Sequence, residues 1–330
     1  MSLFDEFSFI HKIKPTKILH SELITPIGDD ASVYKVLDGA RQVVCVDTMV
    51  EGVHFLKEFS TPEEIGYKGL AVNISDLAAM ASIPKYYLIS IAIPPHWKEE
   101  EIIGIYQGMA KLAKTYMMDL IGGDTVSTGD KLVITVTVIG EIEKDHIGLR
   151  SNAMPGDVVF VTGTLGDSAA GLDLLLKKVS VRDPNISHFL INRHKYPSPR
   201  VKEGRYLSKM ERVALNDISD GLASELHEIA EASQVSIKIE FRDIPKSKEI
   251  LTLREDLIEK WVLFGGEDFE LVGTASVDSW SFIKKIAKEN DFQISKIGIV
   301  EKGPAEVWLQ RDKVEQKLKK SGYNHFKQDR

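Results

Sequence analysis

The sequence predicts a two-domain α/β (α+β) protein, and three observations predict it. Segments with the alternating apolar pattern of strands take turns with segments of helical periodicity along the whole chain. The chain has 330 residues, whereas a single hydrophobic core stops growing near about 250–300 residues. Between residues 143 and 157 the sequence becomes polar and contains Gly148, Pro155 and Gly156. We therefore expect domains at residues 1–145 and 146–330.

The N-terminal half contains the clearest helix start. Thr61-Pro62-Glu63-Glu64 combines a capping hydroxyl, a proline at the first helical position and acids in the first turn, so we expect a helix from there to about residue 81. A short apolar strand at 42–46 should end at Asp47. The remaining expected elements are a strand at 85–93, a helix at 98–118 and a strand at 131–142.

The C-terminal half repeats this alternation. A strand at 158–161 is followed by the loop 162–166 and by a helix from Asp167. Gly163 to Ser168 is typical of a tight strand-to-helix turn, although such a loop can also bind an anion at the helix N-terminus. The lysine-rich segment 313–320 is expected to be a solvated helix face. Further strands are expected at 213–216, 236–241, 269–274 and 294–301.

Composition excludes several classes of protein. The formal net charge is −7, which disfavours nucleic acid as a partner because phosphates must be neutralised by Lys and Arg. No apolar run approaches the roughly 20 residues that span a membrane. The first residues lack the order of a signal peptide, and the single cysteine, Cys45, cannot form an intrachain disulfide. We expect a cytoplasmic protein.

Acidic residues recur beside glycine or a small polar residue at the predicted ends of strands and helices. Several directly follow apolar runs, so they should emerge where buried strands end and where ligands of α/β proteins gather. Asn73 and Asp76 lie three residues apart on a predicted helix and share a face. The six segments are Gly28-Asp29-Asp30, Val46-Asp47-Thr48, Asn73-Ile74-Ser75-Asp76, Gly122-Gly123-Asp124-Thr125, Asn216-Asp217-Ile218-Ser219-Asp220-Gly221 and Gly265-Gly266-Glu267-Asp268.

Taken singly, Asp29, Asp124 or Asp268 is typical of a turn or a helix cap. Six such segments in one chain indicate that they share a function. Carboxylates brought together repel one another unless cations neutralise them, and oxygen-only ligands favour Mg²⁺ or Mn²⁺ over Zn²⁺. The chain has no Walker A lysine, no protein-kinase signature and no Gly-x-Ser-x-Gly motif. The set predicts phosphoryl transfer with several divalent ions, without naming the acceptor.

These motifs resemble the thiamine-monophosphate kinase family, within the wider superfamily of aminoimidazole ribonucleotide synthetase. The resemblance spans nearly the whole chain, and superfamily relatives share the Gly-Asp-Asp and Asp-Gly-Leu elements. The thiamine branch is indicated by the His54-Phe55 segment, by the long match from Asn73 to Met80 and by the C-terminal Gly-Tyr-x-His-Phe. The motifs are Ile27 to Ala31, Asp47 to Phe55, Lys68 to Met80, Ile121 to Thr125, Val161 to Gly163, Gly166 to Leu172, Asp217 to Leu222, Gly265 to Asp268 and Gly322 to Phe326.

The resemblance implies transfer of a phosphoryl group from ATP to thiamine monophosphate, giving thiamine diphosphate and ADP. It also implies an aminoimidazole ribonucleotide synthetase-like fold, in which the N-terminal domain binds ATP and metal and joins its strands to a partner's in the barrel of a homodimer. The C-terminal domain would complete the active site. Position by position, it implies Mg²⁺ ligands at Asp30, Asp47, Asp76, Asp124, Asp217 and Asp220, ATP contacts at Tyr106, Gly123, Asp124, Arg150 and Ser219, and thiamine contacts at His54, Glu267 and Tyr323.

One position departs from the family pattern. The family often has Ser-Thr before the aspartate equivalent to Asp47, and this chain has Cys45-Val46. A hydroxyl ligand is therefore lost, and Val46 offers only its backbone carbonyl, while Cys45 fits a small buried hydrophobe. Without the resemblance, His54 is typical of a hydrogen-bonded scaffold residue and Arg150 of a surface arginine.

Other functions remain open at this point. Another ATP-using superfamily member, such as a ribonucleotide cyclo-ligase or a selenophosphate synthetase, shares many of these motifs. The latter typically needs a reactive cysteine near its N-terminus, and the first forty residues contain none. The third hypothesis is a non-catalytic protein that only binds nucleotide or metal. The acceptor of a kinase acting on a phosphate monoester is already anionic, so no single nucleophilic residue is expected.

Overall fold

The computed structural model describes residues 6–28, 31–143, 147–312 and 314–323. The chain forms two compact units, Met1–Leu77 with Ser82–Asp145 and Ala78–Ala81 with His146–Arg330. Asp30 lies outside the described residues, as do His325 and Phe326. Within the described part of the chain, no helix has both the length and the apolar character that crossing a membrane requires.

The first unit is built on a four-stranded mixed sheet. Its strand order is β3-β6-β4-β5, in which only the β4–β5 pair is parallel. A separate short hairpin, β1–β2, lies earlier in the chain. The elements are α1 (Glu6–Ile13), β1 (Leu23–Thr25), β2 (Val33–Tyr34), β3 (Ala40–Val50), α2 (Pro62–Ala79), β4 (Ile83–Ile93), α3 (Glu99–Tyr116), β5 (Asp119–Ser127) and β6 (Val133–Glu143).

The two faces of this sheet differ. Ile134, Val136 and Val138 of β6 are almost fully buried, and their partners on β3 approach α2, where a Cβ on Gly69 would touch the Met49 side chain. The opposite face carries Val44, Val46 and Thr48 of β3, which are exposed. Because side chains alternate along a strand, every second residue of β3 and β5 belongs to this open face.

Two aspartates lie inside strands rather than at their ends. We expected Asp47 to follow a strand and Asp124 to occupy a turn, and both expectations were wrong. β3 continues to Val50 because Asp47 pairs with Val136, and Asp124 pairs with Ser90 in the β4–β5 ladder. Pairing with neighbouring strands overrides the local turn preference of Gly and Asp.

The second unit is built on a seven-stranded sheet with the order β13-β12-β9-β11-β7-β10-β8. Only the β12–β9 pair is parallel. The elements are β7 (Val158–Thr162), α4 (Asp167–Leu175), α5 (Pro184–Lys195), α6 (Val201–Leu207), β8 (Val213–Asp217), α7 (Leu222–Ser233), β9 (Ser236–Glu240), α8 (Glu255–Phe264), β10 (Leu271–Ala275), α9 (Val277–Glu289), β11 (Ile294–Glu301), β12 (Glu306–Arg311) and β13 (Val314–Leu318).

The core of the second unit joins this sheet to its helices. Val159 and Val161 of β7 and Val272 of β10 are fully buried together with Leu226 of α7 and Trp261 of α8. The lysine-rich segment proved to be a strand, β13, rather than a helix face. Its residues from Val314 to Lys317 are exposed, and a charged strand at a sheet edge resists pairing with other chains. Lys313 lies outside the described residues.

A buried ion cluster holds the start of β10. Glu270 is 0% exposed, and its carboxylate accepts hydrogen bonds from Arg200 Nε at 2.6 Å, from Arg193 at 2.9 Å and from Thr162 Oγ1 at 2.7 Å. Burial by itself would raise the pKa of Glu270, but the charge and the hydrogen bonds of Arg200 outweigh it, with help from Arg193, and hold the pKa below its usual range. Removing one partner of such a cluster leaves uncompensated buried charge.

We expect Glu270→Gln to lower the free energy of unfolding by about 3–5 kcal/mol, because Arg193 and Arg200 lose the buried carboxylate they share and keep the longer ion pairs with Asp167 and Glu203. The measurement is urea unfolding at neutral pH. The matched control is Glu289→Gln, which removes an exposed ion pair with Lys285 and should change the free energy by less than about 1 kcal/mol. Equal effects of the two substitutions would contradict this account of the cluster.

Candidate active site

Asp47 lies at an edge of the first sheet, where α2 reaches the strand. Its backbone N–H donates to Asn73 Oδ1 at 2.9 Å, and Asn73 Nδ2 donates to the carbonyl of Gly69 at 3.0 Å. Asn73 is thus a satisfied buried side chain that fastens α2 to β3. The Cys45 thiol lies 3.4 Å from the carbonyl oxygen of Asn73 and is half-buried. The position where the family often has a hydroxyl therefore contacts α2.

Asp47 is an exposed residue whose carboxyl is nevertheless partly shielded from water by the surrounding protein. This desolvation raises the pKa of Asp47, and the nearby charge of His54 partly opposes the shift. A cation bound beside Asp47 would stabilise the charged form of its carboxyl group, which desolvation disfavours. Asp76, on α2, is half-buried.

His54 is held in the turn that follows β3. The backbone N–H of Val50 donates to His54 Nδ1 at 3.0 Å, and the N–H of His54 donates to the carbonyl of Val50 at 3.0 Å. Because Nδ1 accepts a hydrogen bond, a neutral His54 ring carries its proton on Nε2. The ring therefore presents a hydrogen-bond donor at Nε2, which suits an anionic or carbonyl oxygen.

Gly123 and Asp124 lie in the middle of β5. A Cβ on Gly123 would approach the carbonyl oxygen of Ile89 to 2.2 Å, so this close strand contact requires glycine. Asp124 is exposed on the open face. Tyr106 of α3 is buried, packs edge-to-face on Phe9 with ring centroids 5.7 Å apart, and its hydroxyl bonds to Thr125, next to Asp124. Burial raises the pKa of Tyr106.

The first unit does not bring Asp47 and Asp124 together. They lie on the two edge strands, β3 and β5, which are three strand spacings or about 14 Å apart. Thr48, Thr135, Ser90 and Asp124 form one cross-strand row on the open face, so Asp47 belongs to the opposite face. Within one copy of this unit the two carboxylates occupy separate sites.

In the second unit, the loop between β8 and α7 gathers predicted residues of several kinds. Asp217 is the last residue of β8, and the loop that follows it carries Ser219 and Asp220. The backbone N–H of Glu267 donates to the carbonyl of Ser219 at 2.7 Å, and the N–H of Tyr323 donates to the carbonyl of Asp220 at 3.1 Å. Residues assigned by resemblance to metal, ATP and thiamine thus meet at one loop.

The 265–268 segment requires an unusual backbone. A Cβ on Gly266 would approach the carbonyl oxygen of Ser219 to 2.5 Å, and Glu267 has a positive φ of 66°. Glu267 is therefore both a turn residue and a half-exposed carboxylate. Its Oε2 lies 3.3 Å from His194 Nδ1, and the same nitrogen lies 3.2 Å from Ser168 Oγ. His194 thus lies between the Glu267 carboxylate and the Ser168 hydroxyl.

Arg150 belongs to a polar network that the sequence did not predict. Its Nε donates to Asn216 Oδ1 at 3.0 Å, and its guanidinium pairs with Glu228 at 3.0 Å. Asn216 Nδ2 in turn donates to Glu225, whose other oxygen accepts the N–H of Asp220 at 3.2 Å. The only signal in the sequence was the place of Glu225 in the first turn of the helix after the Asp-Gly motif.

Negative charge accumulates around this loop. Desolvation raises the pKa of Glu225 to about 8, and the charges of Asp217, Glu228 and Asp220 add to the shift. Asp217 itself is buried. Oxygen donors with surplus negative charge fit a hard divalent cation. Among the residues that the structure describes, however, no three His, Cys, Asp or Glu side chains are grouped so as to hold a metal ion by themselves.

The N-terminus of α4 is already occupied by a side chain. Asp268 is buried and accepts the N–H groups of Gly166 at 2.6 Å and Ser168 at 3.2 Å. The Gly163–Ser168 loop is therefore a tight turn, as preferred from the sequence, and its N–H groups are satisfied by a carboxyl group of the protein itself. Such a carboxylate satisfies N–H groups that the helix leaves without partners.

The comparison with protein families covers most of the chain. Residues 28–142 match AIR synthase related protein, N-terminal domain, and residues 154–309 match AIR synthase related protein, C-terminal domain. The predicted mixed α/β, two-domain fold of the aminoimidazole ribonucleotide synthetase type is confirmed by these matches and by the solved structures below. Neither the predicted barrel nor the predicted domain roles are tested by them.

Curated and solved relatives match over nearly the full length. The chain is 55% identical over 325 residues to a thiamine-monophosphate kinase of Bacillus subtilis (strain 168), covering 98% of this chain and 100% of that protein. The thiamine-monophosphate kinase structure from Stenotrophomonas maltophilia K279a has a TM-score of 0.84 and 32% identity, covering 94% of this chain and 98% of that one. AaThiL complexed with AMPPCP and TMP has a TM-score of 0.76 and 34% identity, covering 99% of both chains.

The buried Asp268 predicts how stability depends on pH. Burial raises its pKa to about 8, against about 3.9 in an unfolded chain. Its folded state therefore binds the proton more tightly, so its contribution is complete below about pH 4 and is lost as the pH rises through about 8. Glu225, whose pKa is also raised to about 8, lowers the stability over the same rise in pH.

We expect the free energy of unfolding to fall between about pH 5 and 8, by up to about 1.4 kcal/mol per pH unit for each such group. Asp268→Asn cannot ionise and should remove about half of this slope. Urea unfolding at several pH values measures it, with the exposed Asp243→Asn as control. An unchanged slope in Asp268→Asn would show that Asp268 is ionised throughout.

Proposed function

The chain belongs to the thiamine-monophosphate kinase family, and we propose that it transfers the γ-phosphoryl group of ATP to thiamine monophosphate, giving thiamine diphosphate and ADP. One observation of the structure carries this proposal: the β8–α7 loop presents Asp217, Ser219 and Asp220 beside Glu267 and Tyr323. Residues suited to a polyphosphate thus adjoin residues suited to a cationic acceptor. We place the reaction in the cytoplasm, where ATP is available and Cys45 stays reduced.

The acceptor needs no protein base. A phosphate monoester is largely ionised near neutral pH, so one of its oxygens attacks the γ-phosphorus while the bond to the β–γ bridging oxygen breaks and ADP leaves. Catalysis then consists of orientation and neutralisation of charge. This agrees with a set of residues rich in carboxylates and without a nucleophilic side chain.

We assign the metal ligands to Asp30, Asp47, Asp76, Asp124, Asp217 and Asp220, with the backbone carbonyl of Val46. Support comes from the raised pKa of Asp47 and from the surplus negative charge around Asp217. When bound, Mg²⁺ supplies the positive charge that lets carboxylates and phosphates approach one another. With few side chains grouped in one place, the remaining ligands would come from phosphate oxygens and water, as is usual for Mg²⁺.

We assign ATP contacts to Tyr106, Gly123 and Asp124 in the first unit and to Arg150 and Ser219 in the second. Gly123 leaves backbone accessible where a side chain would not fit. The planar guanidinium of Arg150, oriented by Asn216, is suited to phosphate oxygens. The Tyr106 hydroxyl is hydrogen-bonded to the side chain of Thr125 on β5. Tyr106 would therefore contribute to the nucleotide site by packing against this strand.

We assign thiamine monophosphate contacts to His54, Glu267 and Tyr323. The donor at Nε2 of His54 suits an oxygen of the phosphate. The half-exposed carboxylate of Glu267 and the exposed ring of Tyr323 suit the cationic thiazolium, since a cation over an aromatic face gains about 0.5–2 kcal/mol. A rival superfamily substrate without a positive charge would gain neither contact.

We expect purified protein with ATP, Mg²⁺ and thiamine monophosphate to form thiamine diphosphate, detected by chromatography against a control without ATP. Asp124→Asn and Asp217→Asn should each lower kcat at least about 100-fold, because each removes charge that offsets the transition state. The fold should survive. Asp130→Asn and Asp243→Asn, at exposed positions of the two units, are the matched controls and should keep wild-type rates.

Two outcomes would overturn this assignment. Folded protein that binds ATP but forms no thiamine diphosphate would leave only the fold and exclude the thiamine reaction. Near-native kcat in Asp124→Asn or Asp217→Asn at saturating Mg²⁺ would show that these carboxylates do not serve the transferred phosphoryl group.

We further propose a homodimer formed through the open face of the first sheet. Val44 and Val46 of β3 and Val126 of β5 are 60%, 57% and 48% exposed on that face, and large apolar side chains exposed on one face of a sheet suit an interaction site. Both edge strands, β3 and β5, leave backbone groups available for pairing. A second copy would cover both features, and a self-complementary patch is typical of twofold dimers.

We expect the double substitution Val44→Lys with Val126→Lys to convert the protein to a monomer, because four like charges would face one another across the proposed interface. Size-exclusion chromatography with light scattering measures this. Val277→Lys, at an exposed valine of the second unit, is the control and should leave the mass unchanged. A wild-type monomer, or a double variant that stays dimeric, would contradict the proposed face.

A further inference from the structure

The turn that carries His54 is closed by its own backbone. The N–H of Gly52 donates to the carbonyl of Phe55 at 2.8 Å, and the N–H of Val53 donates to that of Val50 at 3.1 Å. Gly52 has a φ of 84°, which glycine adopts at little cost. These bonds shape the turn, but they do not fix where it lies against the rest of the unit.

The side chain of Glu51 makes that attachment. Its Oε2 accepts the N–H of Leu132 at 3.0 Å and the indole N–H of Trp97 at 3.1 Å, and its Oε1 lies 3.3 Å from His96 Nε2. The backbone N–H of Glu51 also donates to the carbonyl of Leu132 at 2.9 Å. One carboxylate thus joins the end of β3 to the β4–α3 connection and to the residue before β6.

Glu51 is held as a charged group with little access to water. Its side chain is 13% exposed. Burial by itself would raise the pKa of Glu51, but the hydrogen bonds from Leu132, Trp97 and His96 lower it below its usual range. Hydrogen bonds to a carboxylate are stronger than those between neutral groups. The proposed function uses none of these three contacts, although Glu51 belongs to the segment that identified the family.

We propose that Glu51 is a positioning residue for His54: by fixing the turn from Val50 to Phe55 against Trp97 and Leu132, it sets the place of the His54 ring for thiamine monophosphate. This inference rests on the proposed function, in which His54 contacts that substrate. Glu51 itself touches no substrate. Displacement of a binding group by about 1 Å can cost as much as about 100-fold in rate. Glu51 can therefore affect the rate by holding the turn in place, although it takes no part in the chemical step.

Steady-state kinetics of Glu51→Ala test the inference. We expect the KM for thiamine monophosphate to rise about tenfold or more, with the KM for ATP within about twofold of wild type, because only His54 is displaced. Glu51→Gln keeps an oxygen that can accept from Leu132 and Trp97, and it should recover most of the loss. Asp183→Ala removes the N-cap of α5, and it controls for loss of stability without an effect on the turn.

A double substitution separates positioning from general damage. If Glu51 acts through His54, Glu51→Ala combined with His54→Ala should be no worse than His54→Ala alone. Should Glu51→Ala fail to fold, Glu51→Asp serves instead: it keeps the charge but is too short to reach Leu132 and Trp97 together. Additive losses in the double variant would overturn the inference.

A spectroscopic readout keeps this inference separate from the proposed function. Nitrogen NMR of the His54 ring should show one proton, on Nε2, in the wild type, and the ring shifts should change in Glu51→Asp because the turn moves relative to Trp97 and Leu132. Wild type that forms thiamine diphosphate, with an unchanged KM and ring spectrum in the Glu51 variants, would overturn only the role of Glu51. Wild type that forms no product overturns the proposed function, and the ring spectrum still decides whether Glu51 holds the turn.

Discussion

Backbone pairing between the end of β8 and the segment before β10 is the interaction on which the candidate site of the second unit depends. The backbone N–H of Ile218 donates to the carbonyl of Glu270. In return, the N–H of Phe269 donates to the carbonyl of Ile218, and the N–H of Glu267 donates to the carbonyl of Ser219. This alignment leaves no room for a side chain at Gly266 and forces positive φ at Glu267 and Phe269. Such strain persists only where the surroundings fix the chain. Here the fixed chain brings the backbones of Ser219 and Asp220 next to those of Glu267 and Tyr323.

Three acids within four residues then meet three different environments. Glu270 is fully buried and balanced by two arginines, and Asp268 is buried against the first N–H groups of α4. Glu267 alone stays half-exposed, beside His194. The first two cannot reach a ligand without leaving their partners, which would cost several kcal/mol each. Burial and hydrogen bonding therefore leave Glu267 as the exposed carboxylate of the three, and its two neighbours support its backbone.

The sequence predicted most of the framework because hydrophobic alternation reports directly on burial. It failed at Asp47 and Asp124, whose glycine and aspartate neighbours favour turns locally, and at residues 314–318, where charges hid an edge strand. Their strand state comes from partners far along the chain. The grouping of Ser219, Glu267 and Tyr323 came only from family resemblance, since no spacing reveals that three distant loops meet. Glu225 contacts Asn216 and Asp220, and His194 contacts Glu267. Neither residue belongs to a sequence motif, so the sequence did not indicate their roles.

The edge positions of Asp47 and Asp124 follow from the cost of burying charge. The inner strands β4 and β6 are flanked on both sides, and their buried positions are mainly apolar. A carboxylate there would lose its hydration, whereas an edge strand leaves room for water or an ion. Covering those edges with a second copy would displace water and raise the cost of keeping the carboxylates there charged. Cations bound at these edges would offset that cost, and the state of the protein that holds them would be stabilised by their binding.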